Sequence, residues 1–273
     1  MLKLDKKIVI LIGNKSFIQL NLFNHLKKKY IVKMIKYSDI SVSNISKANF
    51  IVNFSNSKNF YEKGYSKKND RNLKIANIIK NSKTIFFLLS SRVVYSPKLN
   101  LSEKSKLAPI NTYGQNCLKS EKYCKDKLKR RLVILRLSNV FGYEIGKKKR
   151  PSLVSIILKG VKKKKIIFDN NYYLIKDFLP IRLLCLYFEK LFLFKSEGIF
   201  NVGSGIPFPV NKFVNSIIDG KKVKTIIKNK KRFKDKNYSF NIHKIKKFTG
   251  IKINRVMLYE HFYNLKKKIK LND

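Results

Sequence analysis

The chain has 273 residues, 44% of them hydrophobic and 12% aromatic, which suits one large α/β domain, or a large domain with a small annex, and excludes a disordered chain. Its net charge of +46 rests on 62 basic residues against 16 acidic ones, yet only 9 of the basic residues are Arg and only 3 residues are Ala. That is how an AT-rich genome spells any protein, and the lysines are scattered, so they read as a solvated surface rather than a specific nucleic-acid site.

The first segment, KIVILIG (7–13), is a short apolar run ending in glycine, the pattern of a strand covered on both faces. The run is too short for a signal peptide. SFIQLNLFNHLKKK (16–29) places Phe17, Leu20, Leu22, Phe23 and Leu26 at helical spacing. YIVKMIK (30–36), NFIVNFS (49–55) and TIFFLLSS (84–91) read as three further strands, with the helical RNLKIANIIKN (71–81) before the last. Only 12 residues separate Lys36 from Asn49, too few for another strand–helix unit, so this half of the sheet is expected to be trimmed. YGQNCLKSEKYCKDKLK (113–129) reads as a helix and RLVILRLSNVFG (131–142) as one strand.

Unbroken apolar strands alternating with helices predict a Rossmann-type, doubly wound parallel sheet. From about 150 onward the alternation loosens. The expected organisation is a dinucleotide-binding domain over 1–150 and a smaller, partly interleaved substrate-binding subdomain over 151–273. FLPIRLLCLYFEKLFLF (178–194) carries Arg182, Glu189 and Lys190, so it reads as a buried helix and not a membrane span. YEHFYNLKKKIK (259–270) reads as an amphipathic terminal helix. Cys117, Cys124 and Cys185 form neither a disulfide framework nor a CxxC pair, which fits a reducing cytoplasm. His25, His243 and His261 lack metal-ligand spacing, so no metal is expected.

Six motifs follow in order: FFLLSSRVVYS, then LSEKSKLAPINTYGQNCLKSE, LVILRLSNVFG, KDFLP, IFNVGSG and FNIHKIKKFTGI. The succession resembles the extended short-chain dehydrogenase/reductase family, the NAD-dependent epimerases and dehydratases of nucleotide sugars, and it spans essentially the whole chain. The resemblance implies hydride transfer between a sugar carbon and a bound NAD or NADP, in sugar synthesis for surface polysaccharides, with a homodimer as a common family arrangement. Gly13 falls on the family's first loop glycine, while Ser16 and Gln19 fall on the second and third, where side chains would crowd the pyrophosphate and the helix–strand contact. Ser16, Phe17 and Ile18 open the helix that would hold the phosphates. Lys36 stands where the family often has an acidic residue for the ribose, and a positive charge there suits a 2′-phosphate. Asp39 and Ile40 resemble the family's pair beside the adenine.

The resemblance makes Ser91 and Tyr113 catalytic, Ser91 bonding the reacting sugar oxygen and Tyr113 carrying its proton. Asn139 and Val140 would lie at the nicotinamide and substrate edge, and Lys176, replacing an arginine, would meet a substrate phosphate. One departure bears on the chemistry. The family's lysine four residues after the tyrosine favours the phenolate; here that position is Cys117, and Lys119 points away from Tyr113. A relative that binds a dinucleotide or nucleotide sugar without turnover is therefore the alternative reading, and a polyanion-binding protein is a third.

Overall fold

The apolar runs at 8–12, 31–35, 50–53 and 85–91 all become parallel strands. The computed structural model describes residues 6–143, 153–168, 172–194, 197–218, 220–227 and 236–270. The lysine run at 147–149 and the expected boundary near 150 lie outside the described residues. Two compact units exchange segments along the chain: Met1–Ser96, Ser105–Leu137 and Cys185–Asn201 form the first, and Pro97–Lys104, Ser138–Leu184 and Val202–Asp273 the second.

In the first unit β1 (Ile8–Ile12) passes through Gly13 into α1 (Phe17–Leu26), and β2 (Ile31–Ile35) pairs parallel with β1. A single-turn α2 (Val42–Ile45) then returns the chain to β3 (Phe50–Asn53) on the other side of β1, all that the 12 residues after Lys36 can span. Next come α3 (Lys58–Glu62), α4 (Arg71–Ile78), β4 (Ile85–Ser91), α5 (Thr112–Leu128) and β5 (Leu132–Leu137). The sheet has six strands in the order β2-β1-β3-β4-β5, then the strand Gly198–Val202.

Strand alternation sends Ile10, Ile12, Ile51, Phe86, Leu88 and Ile134 into one core with Leu73, Ala76, Cys124 and Leu128. The opposite parity, Phe50 and Phe87, meets Phe192, whose ring stacks on Phe50 at 4.6 Å and meets Phe87 edge-on at 4.7 Å. Both faces are thus dry, which is why these strands carry no polar alternation. Helix starts follow their capping residues. Asp70 accepts from the Asn72 and Leu73 N–H groups at the start of α4, and Asn111 accepts from Gly114 N–H at the start of α5.

One expected element differs. The run 131–142 reads as a single strand, but the backbone breaks it at Ser138, whose N–H donates to Val202 O and whose hydroxyl donates to Asp177. Beyond the break, β6 (Asn139–Phe141) belongs to the second unit. That unit continues with α6 (Leu153–Lys162), β7 (Lys165–Phe168), β8 (Ile175–Pro180) and α7 (Ile181–Leu193), the last passing into the first unit at Cys185. After the Gly198–Val202 strand, β9, come β10 (Pro207–Pro209), α8 (Val210–Ile218), β11 (Lys224–Ile227), α9 (His243–Thr249) and α10 (Arg255–Lys270). A three-stranded sheet β10-β8-β6 packs an aromatic core in which Phe178 stacks on Phe213 at 4.3 Å with Phe262 edge-on to both.

The fully buried Asp177 carboxylate organises this unit. It accepts from Ser138 Oγ, Ser204 N and Oγ, Gly205 N and Phe240 N. Burial pushes its carboxyl above the ordinary range, against the lowering effect of those donors. Among the described residues no helix is long and apolar enough to cross a membrane.

Candidate active site

Tyr113 stands in the first turn of α5, and Ser91 ends β4 and caps the turn Arg92–Val94, accepting from Val93 N–H. Gly114 lets these two pieces approach. A Cβ there would lie 2.3 Å from Val93 O and 2.9 Å from Pro109 Cβ, so any side chain would push α5 off the turn that Ser91 begins. Tyr113 is partly buried, its ring stacked at 4.8 Å on the half-exposed Tyr61 and edge-on to Phe60 at 6.2 Å. The Asn116 carboxamide donates to Phe60 O and Lys63 O, which ties α3 to α5 and holds those rings in place.

Burial pushes the Tyr113 phenol well above its ordinary value, and Cys117 and Tyr61 push it the same way. The buried Cys117 lies one turn below on the same helix. Burial raises its thiol to about 12, opposed by the Tyr113 and Ser90 hydroxyls beside it. Among the described residues no positive charge figures in the causes of either shift.

Below Cys117 the same stripe of α5 brings Ser120 and Glu121 against β4 and β5. Ser90 and Arg136 are cross-strand partners, so both face Glu121. Arg136 donates from Nε to Glu121 Oε1 (3.1 Å), from Nη2 to Oε2 (2.6 Å) and from Nη1 to Tyr95 Oη (2.7 Å); Tyr95 in turn donates to Asn201. Ser90 Oγ donates to Glu121 Oε1. Arg136 and Glu121 are almost wholly buried. A second polar knot, Asp70–Ser120–Asn72–Asn53, lies beside it.

At the expected phosphate loop, Gly13 N–H donates to Ile35 O, and a Cβ on Gly13 would lie 2.7 Å from Gln19 Oε1 and 3.1 Å from Phe54 Cβ. Ser16 caps α1 in a capping box with Gln19, through long bonds of 3.4 Å and 3.3 Å. Gln19 is fully buried and its carboxamide turns inward, donating to Leu11 O at 2.9 Å. Its bulk is therefore taken up between helix and strand, with its polar ends satisfied. Phe17 is buried and Ile18 partly so. The strand–glycine–helix turn thus fits a dinucleotide pyrophosphate. The two box bonds are weak enough for a phosphate oxygen to replace, and Lys15 adds positive charge beside them. Beyond β2, Lys36 and Asp39 are exposed and Ile40 packs partly against the core. Tyr37 between them lies under the Arg71 guanidinium at 4.3 Å.

Three further expected residues lie in the second unit. Asn139 and Val140 are partly exposed on β6, beside Phe178 and Leu179 of β8. Lys176 is buried, with Nζ donating to Lys236 O at 3.3 Å and lying 5.2 Å from the Tyr238 ring centre. Among the described residues no group of His, Cys, Asp or Glu is arranged to hold a metal ion.

Sequence comparison finds no matching protein-family model and no matching curated protein. Solved structures do match. A UDP-N-acetylglucosamine 4-epimerase from Methanobrevibacter ruminantium M1, in complex with UDP-N-acetylmuramic acid, is 17% identical with a TM-score of 0.82, covering 98% of this chain and 99% of its own. TunA, an NAD-dependent NDP-hexosamine 5,6-dehydratase involved in tunicamycin biosynthesis, is 13% identical with a TM-score of 0.83 over 98% and 99% of the two chains. RMD from Pseudomonas aeruginosa, complexed with NADPH, is 14% identical with a TM-score of 0.81 over 98% and 100%. The chain shares the fold of these structures.

Sequence reasoning missed the Glu121–Arg136–Ser90 cluster within this fold. A signal was present: Arg136 is the one charge inside the apolar run LVILRL, and Glu121 lies four residues beyond Cys117 on the same helical face. It also missed Tyr61, which nothing in its local sequence singles out as a ring over Tyr113.

Proposed function

We propose that the chain is an NAD(P)-dependent enzyme of nucleotide-linked sugars, acting as an epimerase, dehydratase or reductase. The observation that carries this reading is the Gly114–Val93 contact. It packs the first turn of α5, which carries Tyr113, close to the turn that Ser91 caps, and this supports an acid/base and an oxygen-orienting hydroxyl acting together. The fold shared with nucleotide-sugar epimerases and dehydratases supports it. Bound nicotinamide would supply hydride acceptance and return. Gly13, Ser16, Phe17 and Ile18 would hold its pyrophosphate, with Lys36, Asp39 and Ile40 toward the adenosine. Lys36 favours the extra phosphate of NADP. Asn139 and Val140 are assigned to the nicotinamide edge. Lys176 is assigned to a substrate phosphate and is the weakest member of the set, since that role requires its Nζ to leave Lys236 O and Tyr238.

The test is calorimetric titration with NAD⁺, NADP⁺ and inorganic polyphosphate at low and high salt, followed by turnover of nucleotide sugars. Saturable dinucleotide binding that survives salt is expected, as is a loss of about 100-fold or more in kcat for Tyr113→Phe. Dinucleotide binding that fades with salt as polyphosphate binding does would leave a polyanion binder. Unchanged turnover in Tyr113→Phe and Ser91→Ala would remove the assigned chemistry.

One observation favours a second reading, a relative that binds without turnover: Tyr113 is held as a neutral phenol with a thiol where a cation is expected. Cys117→Lys separates the two readings. A large gain from a negligible starting rate would indicate an intact site lacking its cation.

A further inference from the structure

The helix α10 is apolar on two opposite sides. Leu258, Phe262 and Leu265 are buried in the aromatic core of the second unit. At about 100° per residue, Val256, Tyr259 and Tyr263 fall within about 60° of one another on the other side. They are 67%, 47% and 56% exposed, and Met257, 40% exposed, borders them. Composition does not account for this stripe. In a chain so rich in lysine the outward positions of a helix should fill with polar residues, and on α5 they do: its exposed residues are Gln115, Lys119, Lys122, Lys125, Asp126 and Lys127. A stripe of valine, methionine and tyrosine in their place marks a contact surface.

Charge indicates what the contact is with. The helix carries Arg255 and four lysines against a single acidic residue, Glu260. Helical spacing puts Arg255 and Lys266 on one flank of the stripe and Lys268 on the other. Lys267 continues the stripe, with Nζ 4.7 Å from the Tyr263 ring centre. Tyr259 meets Phe208 edge-on at 5.4 Å, which holds its ring to the surface of the unit. Apolar and aromatic side chains bordered by cations match the boundary between anionic headgroups and acyl chains, where tyrosine rings and lysine stems both settle. Other occupants fit less well. Lysine is depleted in protein interfaces, a second copy would set lysines against lysines, and a stacking nucleobase would need the Tyr263 ring face that Lys267 covers.

We propose that α10 lies flat on an anionic lipid surface, with Val256, Tyr259 and Tyr263 among the headgroups and Arg255, Lys267 and Lys268 against their phosphates. The contact is peripheral and reversible, since one short stripe and a few cations give only modest affinity. It goes beyond the enzymatic reading and does not depend on it.

The test is sedimentation of the full chain with vesicles of phosphatidylcholine alone, or of phosphatidylcholine and phosphatidylglycerol in equal parts, at about 0.15 M salt. Binding to the anionic vesicles only is expected. Val256→Ser with Tyr263→Ser should weaken it about 10-fold or more. Lys267→Gln with Lys268→Gln should weaken it about 10- to 30-fold, and Lys122→Gln with Lys125→Gln, which removes the same charge from α5, by no more than about twofold. The chain has no Trp, so Tyr263→Trp supplies a single reporter whose emission should shift to the blue on anionic vesicles and be quenched by brominated lipid. Absence of binding overturns the proposal. Equal losses from the two lysine pairs, with the Val256 and Tyr263 changes silent, overturn it in favour of adhesion by net charge. If the Val256 and Tyr263 changes instead abolish binding to polyuridylate, or convert a dimer to a monomer in sedimentation velocity, while vesicle binding stays as in wild type, the stripe is an RNA or self-contact surface and the lipid assignment falls.

Discussion

Replacing Arg136 by Met tests the cluster beneath the candidate site. The guanidinium makes three bonds there, two to Glu121 and one to Tyr95, in a place with almost no water. Met fills much of the volume but leaves the Glu121 carboxylate buried with Ser90 as its remaining donor in the cluster. Breaking a buried pair in this way costs about 3–5 kcal/mol. Against a total stability of about 5–15 kcal/mol that is a large fraction. At about 2–4 °C per kcal/mol for a chain of this size it lowers the melting temperature by about 6–20 °C. The sign with pH follows from the same charge. Without its cation, buried Glu121 has a folded-state pKa above its unfolded value, so the folded variant binds more protons than the unfolded chain. Its deficit against wild type is therefore largest at high pH and shrinks as pH falls through the raised pKa. The double change Glu121→Leu with Arg136→Met removes both charges and should recover most of the loss. Urea titrations of the three proteins at two pH values measure this. A single variant as stable as wild type, or a double variant no better than the single, would refute the reasoning.

Three other expectations concern neighbouring features. Gly114→Ala drives a methyl against Val93 O and is expected to cost about 1–3 kcal/mol of unfolding free energy in denaturant titration and to lower turnover by displacing Tyr113; an unaltered protein would mean that the contact yields freely. All three thiols are buried and held above their ordinary range, Cys117 and Cys185 at about 12, so at pH 8 only about one molecule in 10⁴ carries either thiolate. A colourimetric thiol reagent should accordingly react only as fast as the native protein opens; rapid stoichiometric labelling would contradict that. Glu189 bonds His25 and Lys29; burial raises its carboxyl, but the two partners outweigh this and hold it below its ordinary range. A depressed folded pKa contributes stability above the unfolded value near ~4.3, and that stability is lost as pH falls through the folded one. Glu189→Gln should thus cost about 0.5–1 kcal/mol at neutral pH, Lys29 being largely exposed, and less as pH falls through that lowered value; a pH-independent difference would be the contrary result.

The parallel strands were legible because a strand covered on both faces has to be apolar nearly throughout, and the runs 8–12, 50–52 and 85–89 are. The break at Ser138 was not legible, because what stops the strand is Asp177, 39 residues further on. Tyr113 and Ser91 could be picked out by motif, yet their environment could not. Cys117 looked like the loss of a lysine, whereas the fold sets it beside Ser90 of β4, and Glu121, four residues on, reaches the same serine only through that packing. Gln19 looked like an obstruction, but a carboxamide long enough to reach both Leu11 O and the helix start is absorbed there. Local spacing reports which face a residue takes, and it is silent on which distant donors meet it.

The exchange of segments between the two units governs how the chain can be made. The first sheet is completed by the strand at Gly198–Val202, and the second unit closes around Asp177 only when the Phe240 N–H arrives. A ribosome that has released the first 150 residues has therefore delivered neither unit whole. The emerging polypeptide must hold five apolar strands, with one sheet edge unpaired, through roughly 50 further residues of synthesis, at about 5–20 residues per second. Expression of the 1–150 fragment should consequently yield aggregates rather than a free-standing nucleotide-binding module, and a split of the gene that respects folding has to come after residue 240.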